Sequence, residues 1–145
     1  MSLIVNKRAT YDYEILNNVM AGIVLSGAEV KSLRANNGSL TGSFVQIVDG
    51  EAVLLNAQIN PYPYANNQNY EPKATRKLLL QKKQLYELQD KVQQKGLTLV
   101  PLSFELVGKR IKLKIGLGRG RKQYEKRAKL RERDLKREQE REISP

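Results

Sequence analysis

Four groups of cationic side chains are the residues of this sequence best placed to do chemistry, and that chemistry is contact with phosphate. Lys31 and Arg34 stand three apart in Glu29-Val30-Lys31-Ser32-Leu33-Arg34, the spacing of one helical face. Arg76 and Lys77 precede Leu78-Leu79-Leu80, and Lys82 and Lys83 follow it. Arg110, Lys112 and Lys114 alternate with Ile111, Leu113 and Ile115, which on a strand makes a ladder of charge along one face. The fourth group ends the chain, with Arg119, Arg121, Lys122, Lys126 and Arg127 around Tyr124 and Glu125. Each phosphate such a group neutralises releases counterions, so their joint effect is salt-dependent binding of a polyanion.

Catalytic chemistry has less to work with. The chain contains no Cys and no His, so thiolate nucleophiles, thiolate metal sites and the usual general base near neutral pH are all missing. Glu29, Glu51 and Glu71 fall on different predicted elements and do not mark an acid–base pair. The stretch from Gly116 to Gly120 lacks the Gly-Lys-Ser/Thr ending of a phosphate loop. A non-enzymatic protein without cofactor or metal is expected.

The elements that must carry these residues are short strands and a few helices. Tyr11, Tyr13 and Ile15 alternate with polar residues as a half-buried strand does, and residues 20–25 form a second strand. Asp49-Gly50 between Phe44-Val45-Gln46-Ile47-Val48 and Glu51-Ala52-Val53-Leu54-Leu55 predicts a hairpin with a primed turn. A second hairpin is predicted over 97–115, turning at Gly108-Lys109. Ser26 and Glu29 have the spacing of a capping box, and Asn36-Asn37-Gly38 offers that helix a left-handed stop. Leu85, Leu88 and Val92 predict a second helix over 82–94, with Gly96 as its stop. Pro61, Pro63 and Pro72 among several Asn residues make 60–72 a surface loop. These elements describe an α+β, mainly β domain: an antiparallel barrel with flanking short helices, or a two-sheet sandwich using the same alternation.

The 145 residues carry 26 Lys+Arg and 15 Asp+Glu, a net charge of +11. Residues 1–115 hold 15 basic and 9 acidic residues and residues 116–145 hold 11 and 6, so the last segment carries nearly half of the surplus. The expected division is an RNA-binding domain over 1–115 and a basic tail over 116–145. Gly116, Gly118 and Gly120 would let the tail leave the last strand flexibly. Glu125 with Lys129, and Glu132 with Lys136, are well-oriented helical pairs, yet no continuous apolar stripe exists to fix such a helix on the domain. No apolar run approaches the ~20 residues needed to span a bilayer, and a cytoplasmic location is expected. Solvation could explain any one cationic cluster, and Lys or Arg beside an apolar run can also guard against aggregation. The coincidence of several clusters on one small domain favours RNA.

The ordered motifs resemble the SsrA-binding protein family, also called small protein B. They are Ala21-Gly22-Ile23-Val24-Leu25, Gly27 with Glu29-Val30-Lys31-Ser32-Leu33-Arg34, Gly50-Glu51, Ile59-Asn60-Pro61-Tyr62, Arg76-Lys77-Leu78-Leu79-Leu80, Gly96-Leu97-Thr98-Leu99-Val100-Pro101-Leu102, Gly120-Arg121-Lys122 and Glu125-Lys126-Arg127. The resemblance implies an oligonucleotide-binding-type barrel that grips the tRNA-like part of transfer-messenger RNA. It also implies delivery of that RNA to stalled ribosomes for trans-translation. With the charge clusters it nominates Glu29, Lys31, Arg34, Arg76, Lys77, Leu79, Lys112 and Arg119 for RNA. Arg121, Lys122, Tyr124, Glu125, Lys126 and Arg127 are nominated for a tail that is loose in solution and helical on ribosomal RNA of the small subunit. Neither a membrane nor a small-molecule substrate is implied. The chain departs from the family pattern at Thr10-Tyr11, Met20, Gln58, Tyr70, Ala74 and Glu125. A general structural protein of the ribosome is the second reading.

Overall fold

Hydrophobic alternation dominates the chain and produces a seven-stranded antiparallel sheet. A computed structural model describes residues 1–121 and 123–143. The elements in order are β1 (Ser2–Val5), α1 (Ala9–Asp12), β2 (Tyr13–Ile23), α2 (Gly27–Arg34), β3 (Gly38–Ser39), β4 (Phe44–Val48), β5 (Glu51–Leu55), β6 (Gln58–Ile59), β7 (Arg76–Leu79), α3 (Lys82–Lys95), β8 (Thr98–Val107), β9 (Arg110–Gly120) and α4 (Gln123–Ile143). The sheet order is β1-β8-β9-β2-β7-β5-β4, and β3 pairs with β6 in a small ribbon. The sheet curls until β4 approaches β8, but no ladder joins them among the described residues, so a barrel closed by hydrogen bonds is not formed.

Both predicted hairpins are present. Asp49 and Gly50 have φ of 51° and 75°, as a primed turn requires, and Gly108 turns the second hairpin with φ 62°. Ile111, Leu113 and Ile115 of β9 point inward and join Phe104, Leu33, Leu54 and Ile59 in the core. Each such fully buried side chain contributes roughly 1.5–3 kcal/mol. Helix α3 ends at Gly96 in the left-handed region, and α2 is followed by Asn36 with φ 59°.

Three expectations change: the strand around Tyr11, the end of the last strand and the role of its glycines. Tyr11 lies in α1, a single helical turn, and β2 starts only at Tyr13, running unbroken to Ile23 where two strands were expected. β1, an element not expected from the sequence, departs from strict alternation: its register with β8 shifts between Ser2 and Ile4, so Leu3 and Ile4 are both buried. β9 continues to Gly120, five residues past the expected boundary at 115. Gly116 and Gly118 are not a flexible exit. An added Cβ at Gly116 would stand 3.0 Å from Leu102 and 3.1 Å from Ile15, and one at Gly118 would stand 3.0 Å from Tyr13 and 3.3 Å from Val100. These glycines let neighbouring side chains close over the strand. Beyond β9 the chain continues as helix α4, whose first turns rest beside α1.

Candidate nucleic-acid interface

Helix α2 is fixed at its start by a complete capping box. The Glu29 amide donates to Ser26 Oγ at 3.2 Å, and the Ser26 amide donates to Glu29 Oε1 at 3.0 Å. The other carboxylate oxygen serves a different element: Arg76 Nε donates to Glu29 Oε2 at 2.8 Å, and Tyr70 Oη reaches the same oxygen at 3.2 Å. Arg76 also donates through Nη1 to the carbonyls of Ala57 (2.7 Å) and Ala74 (3.0 Å), and through Nη2 to that of Pro72 (3.0 Å). Its side chain is only 3% exposed. Burial pushes the Glu29 carboxyl up, but the Ser26 amide and the Arg76 guanidinium outweigh it and hold the group below its ordinary value.

Arg76 is therefore corrected from an expected RNA contact to a structural hub. Strand periodicity explains the change: in β7, Arg76 and Leu78 point inward while Lys77 and Leu79 point outward. Every N–H of Arg76 faces protein acceptors, so none is left for a phosphate. Glu29, also nominated, acts through Arg76 by tying α2 to the 60–74 loop and β6. The arrangement leaves Lys31 and Arg34 exposed on the outer face of α2, with Lys31 Nζ 5.5 Å from the centre of the Tyr62 ring.

The outward face of the sheet supplies a groove. Gly22 pairs with Leu79 of β7 on one side and Lys112 of β9 on the other. With no side chain between them, a notch opens there; a Cβ on Gly22 would stand 3.1 Å from Leu79 Cβ. The groove encloses about 460 Å³, with Leu25, Val30 and Leu79 as apolar walls and Lys109, Arg110 and Lys112 as cations. Leu79 is 53% exposed, unusual for a leucine on a strand and suited to packing on a base or ribose. Lys109 and Arg110 were not nominated. Arg110 belonged to the alternating ladder and was legible there, whereas Lys109 sits in the turn and gave no signal.

The remaining nominated residues lie elsewhere. Lys77 shares the face of Leu79 but pairs with Glu51 at 3.5 Å. Arg119 lies toward the other end of β9, where its guanidinium is engaged by Glu14 and, at 3.6 Å, by Glu125. Arg121 donates through Nε to the Thr10 carbonyl at 2.9 Å, and Lys126 pairs with Asp12 at 3.6 Å. Tyr124 is exposed, as is Arg127. Lys122 lies outside the described residues.

Comparison with known proteins places this geometry in a family. The family model described as "SmpB protein" matches residues 3–145. The chain belongs to the SmpB family. It is 49% identical over 133 residues to the SsrA-binding protein of Sulfurihydrogenibium sp. (strain YO3AOP1), covering 92% of this chain and 88% of that one. It is 49% identical over 138 residues to the SsrA-binding protein of Shouchella clausii (strain KSM-K16), covering 95% and 88%. It is similar to a chain in a solved structure described as "tmRNA-SmpB: a journey to the center of the bacterial ribosome", with 48% identity, a TM-score of 0.70, and coverage of 85% of this chain and 87% of that one. The mainly antiparallel fold with a few short helices is that of the family. No helix among the described residues is long and apolar enough to cross a membrane.

Proposed function

We propose that this chain is a non-enzymatic adaptor that binds the tRNA-like part of transfer-messenger RNA and brings it to stalled ribosomes for trans-translation. The observation that carries the reading is the Leu79–Gly22–Lys112 notch, an apolar floor bordered by cations on a rigid sheet. A folded RNA offers that combination its own complement: phosphates for Lys109, Arg110 and Lys112, and a base or ribose face for Leu79. Lys31 and Arg34 extend the cationic surface along α2. Glu29 and Arg76 position that helix and make no RNA contact. The cations of α4, set apart from the notch, are assigned to ribosomal RNA of the small subunit, where the helix takes the vacant messenger path. The place of action is then the cytoplasm, where ribosomes translate.

A gel-shift titration with the tRNA-like fragment tests the reading. Lys112→Ala should weaken binding and lower the slope of log K against log salt by about 0.9, the loss of one phosphate contact on a duplex region. Leu79→Asp should weaken binding more at every salt concentration, because it buries a repelled charge. Parent-like affinity of both variants, or equal affinity of the parent for unrelated ribosomal RNA fragments, would reject this interface.

A further inference from the structure

We propose that the loop over residues 61–69 is a base-reading platform, on which the ring of Tyr64 stacks an unpaired base of RNA. The inference rests on the reading that this protein binds a folded RNA, and it names the part of that RNA which the loop takes.

The loop carries the chemistry of bases, not of phosphates. Between Asn60 and Tyr70 there is no charged side chain, only tyrosines, prolines, an alanine and carboxamides. Aromatic rings stack on every base because every base has a π-face, and carboxamides hydrogen-bond to base edges. Tyr64 is 88% exposed, and Asn66, Gln68 and Asn69 are exposed a few residues on. The half-buried Tyr62 ring braces it: the two ring centres are 5.5 Å apart with planes at 66°, an edge-to-face pair. Lys31 Nζ lies 5.5 Å from the centre of the Tyr62 ring, so a cation stands beside the pair.

Local contacts hold that ring in place. Pro61 and Pro63 fix the backbone on either side of Tyr62. The Tyr62 carbonyl accepts the Ala65 amide at 3.1 Å and Asn67 Nδ2 at 2.9 Å, and Asn66 Oδ1 accepts the Gln68 amide at 3.1 Å. At the ends of the loop the Asn60 amide donates to the Asn37 carbonyl at 3.0 Å, and Tyr70 Oη donates to the Ile59 carbonyl at 2.9 Å. Arg76 holds the Pro72 carbonyl, so the hub that fixes α2 fixes the loop as well. An aromatic ring ordered in advance binds with little further loss of entropy.

The loop is also continuous with the notch. Val30 lines the notch, and its neighbour Lys31 stands against Tyr62, with Arg34 exposed one turn further along α2. An RNA strand whose phosphates meet Lys31 and Arg34 passes the loop and can place one base on Tyr64. A base inside a duplex has no free face, so the platform selects a loop or a bulge. Two cations beside an uncharged aromatic loop match the phosphate–base repeat of a nucleic acid better than they match a protein surface.

The test uses the full chain and two probes: the tRNA-like fragment, and a uridine octanucleotide with one central 2-aminopurine. Tyr64→Ala should weaken binding to the fragment about 5- to 100-fold, the loss of one stacked base. The slope of log K against log salt should not change, because no charge is removed. Tyr64→Phe should stay within about twofold of the parent, since the ring is kept. The bound parent should quench the 2-aminopurine, and bound Tyr64→Ala should not. The thermal midpoint should not move at so exposed a position, which separates lost stacking from lost folding. Parent-like affinity of Tyr64→Ala for the fragment, an equal loss in Tyr64→Phe, or a loss with a shallower salt slope would overturn the platform, the first of these leaving the aromatic pair to a protein partner. Failure of the parent to bind the tRNA-like fragment would remove the proposed function. The octanucleotide then decides the platform alone: quenching by the parent and not by Tyr64→Ala keeps it, and equal quenching overturns it.

Discussion

Replacing Arg76 separates a structural hub from an RNA contact more sharply than any other single change. Arg76→Met keeps an unbranched apolar stem but leaves the Glu29 carboxylate, 12% exposed, without its cation, and leaves the Ala57, Ala74 and Pro72 carbonyls without their donor. Removing one partner of a buried pair costs about 3–5 kcal/mol, because the remaining charge is stranded. At about 3–4 °C per kcal/mol for a chain of this size, the midpoint of thermal unfolding should fall by roughly 10–20 °C. The double variant Glu29→Gln/Arg76→Met should recover about 1–3 kcal/mol relative to the sum of the single losses, since no buried charge is then unpaired. Calorimetry or circular dichroism melts read the stability, and gel shifts well below the midpoint read RNA affinity. Unfolding within about 2 °C of the parent, together with a shallower salt slope of RNA binding, would refute this assignment and return Arg76 to the phosphate-contacting set.

Three further outcomes follow from the same geometry. Gly118→Val should cost about 1–3 kcal/mol in chemical denaturation, because its Cβ would press on Tyr13, Ile15 and Val100; parent-like stability would mean that β9 does not pack as described. Glu29 has a folded pKa below its ordinary 4.5, so its contribution to stability is fully present above 4.5 and is lost as pH falls through the lower folded value. Urea titrations between pH 5 and 3 should show the parent losing stability more steeply than Glu29→Gln, and parallel curves would remove the carboxylate's role. Lys31→Ala should leave the melting midpoint in place and lower the salt slope of RNA binding by about 0.9, and an unchanged slope would exclude Lys31 from the phosphate contacts.

Local features were legible because their chemistry is local. The capping box of α2, the Asp49-Gly50 turn, the Gly96 stop and the alternation of Ile111, Leu113 and Ile115 each depend on residues within a few positions of one another. What failed depended on partners distant in sequence. Arg76 and Lys77 read as equivalent cations, yet Arg76 reaches Glu29 across 47 positions and Lys77 faces outward. Gly116 and Gly118 read as a hinge because nothing nearby announces that Ile15, Tyr13, Val100 and Leu102 close over them. Tyr11 read as part of a strand because its two-residue spacing with Tyr13 is the same whether or not the chain turns at α1.

By itself, the sequence determined the polarity of this protein: a net charge of +11, no Cys or His, motifs of one family, and alternation enough to form an antiparallel sheet. Only the tertiary structure decided which cations remain for a partner. Glycine at position 22 becomes a notch only once Leu79 and Lys112 are its cross-strand neighbours, and Arg119 is held only once β2 brings Glu14 beside it. The physical reason is that a cation's availability depends on the acceptors and the burial around it, and both are set by strand pairing between residues far apart in the chain.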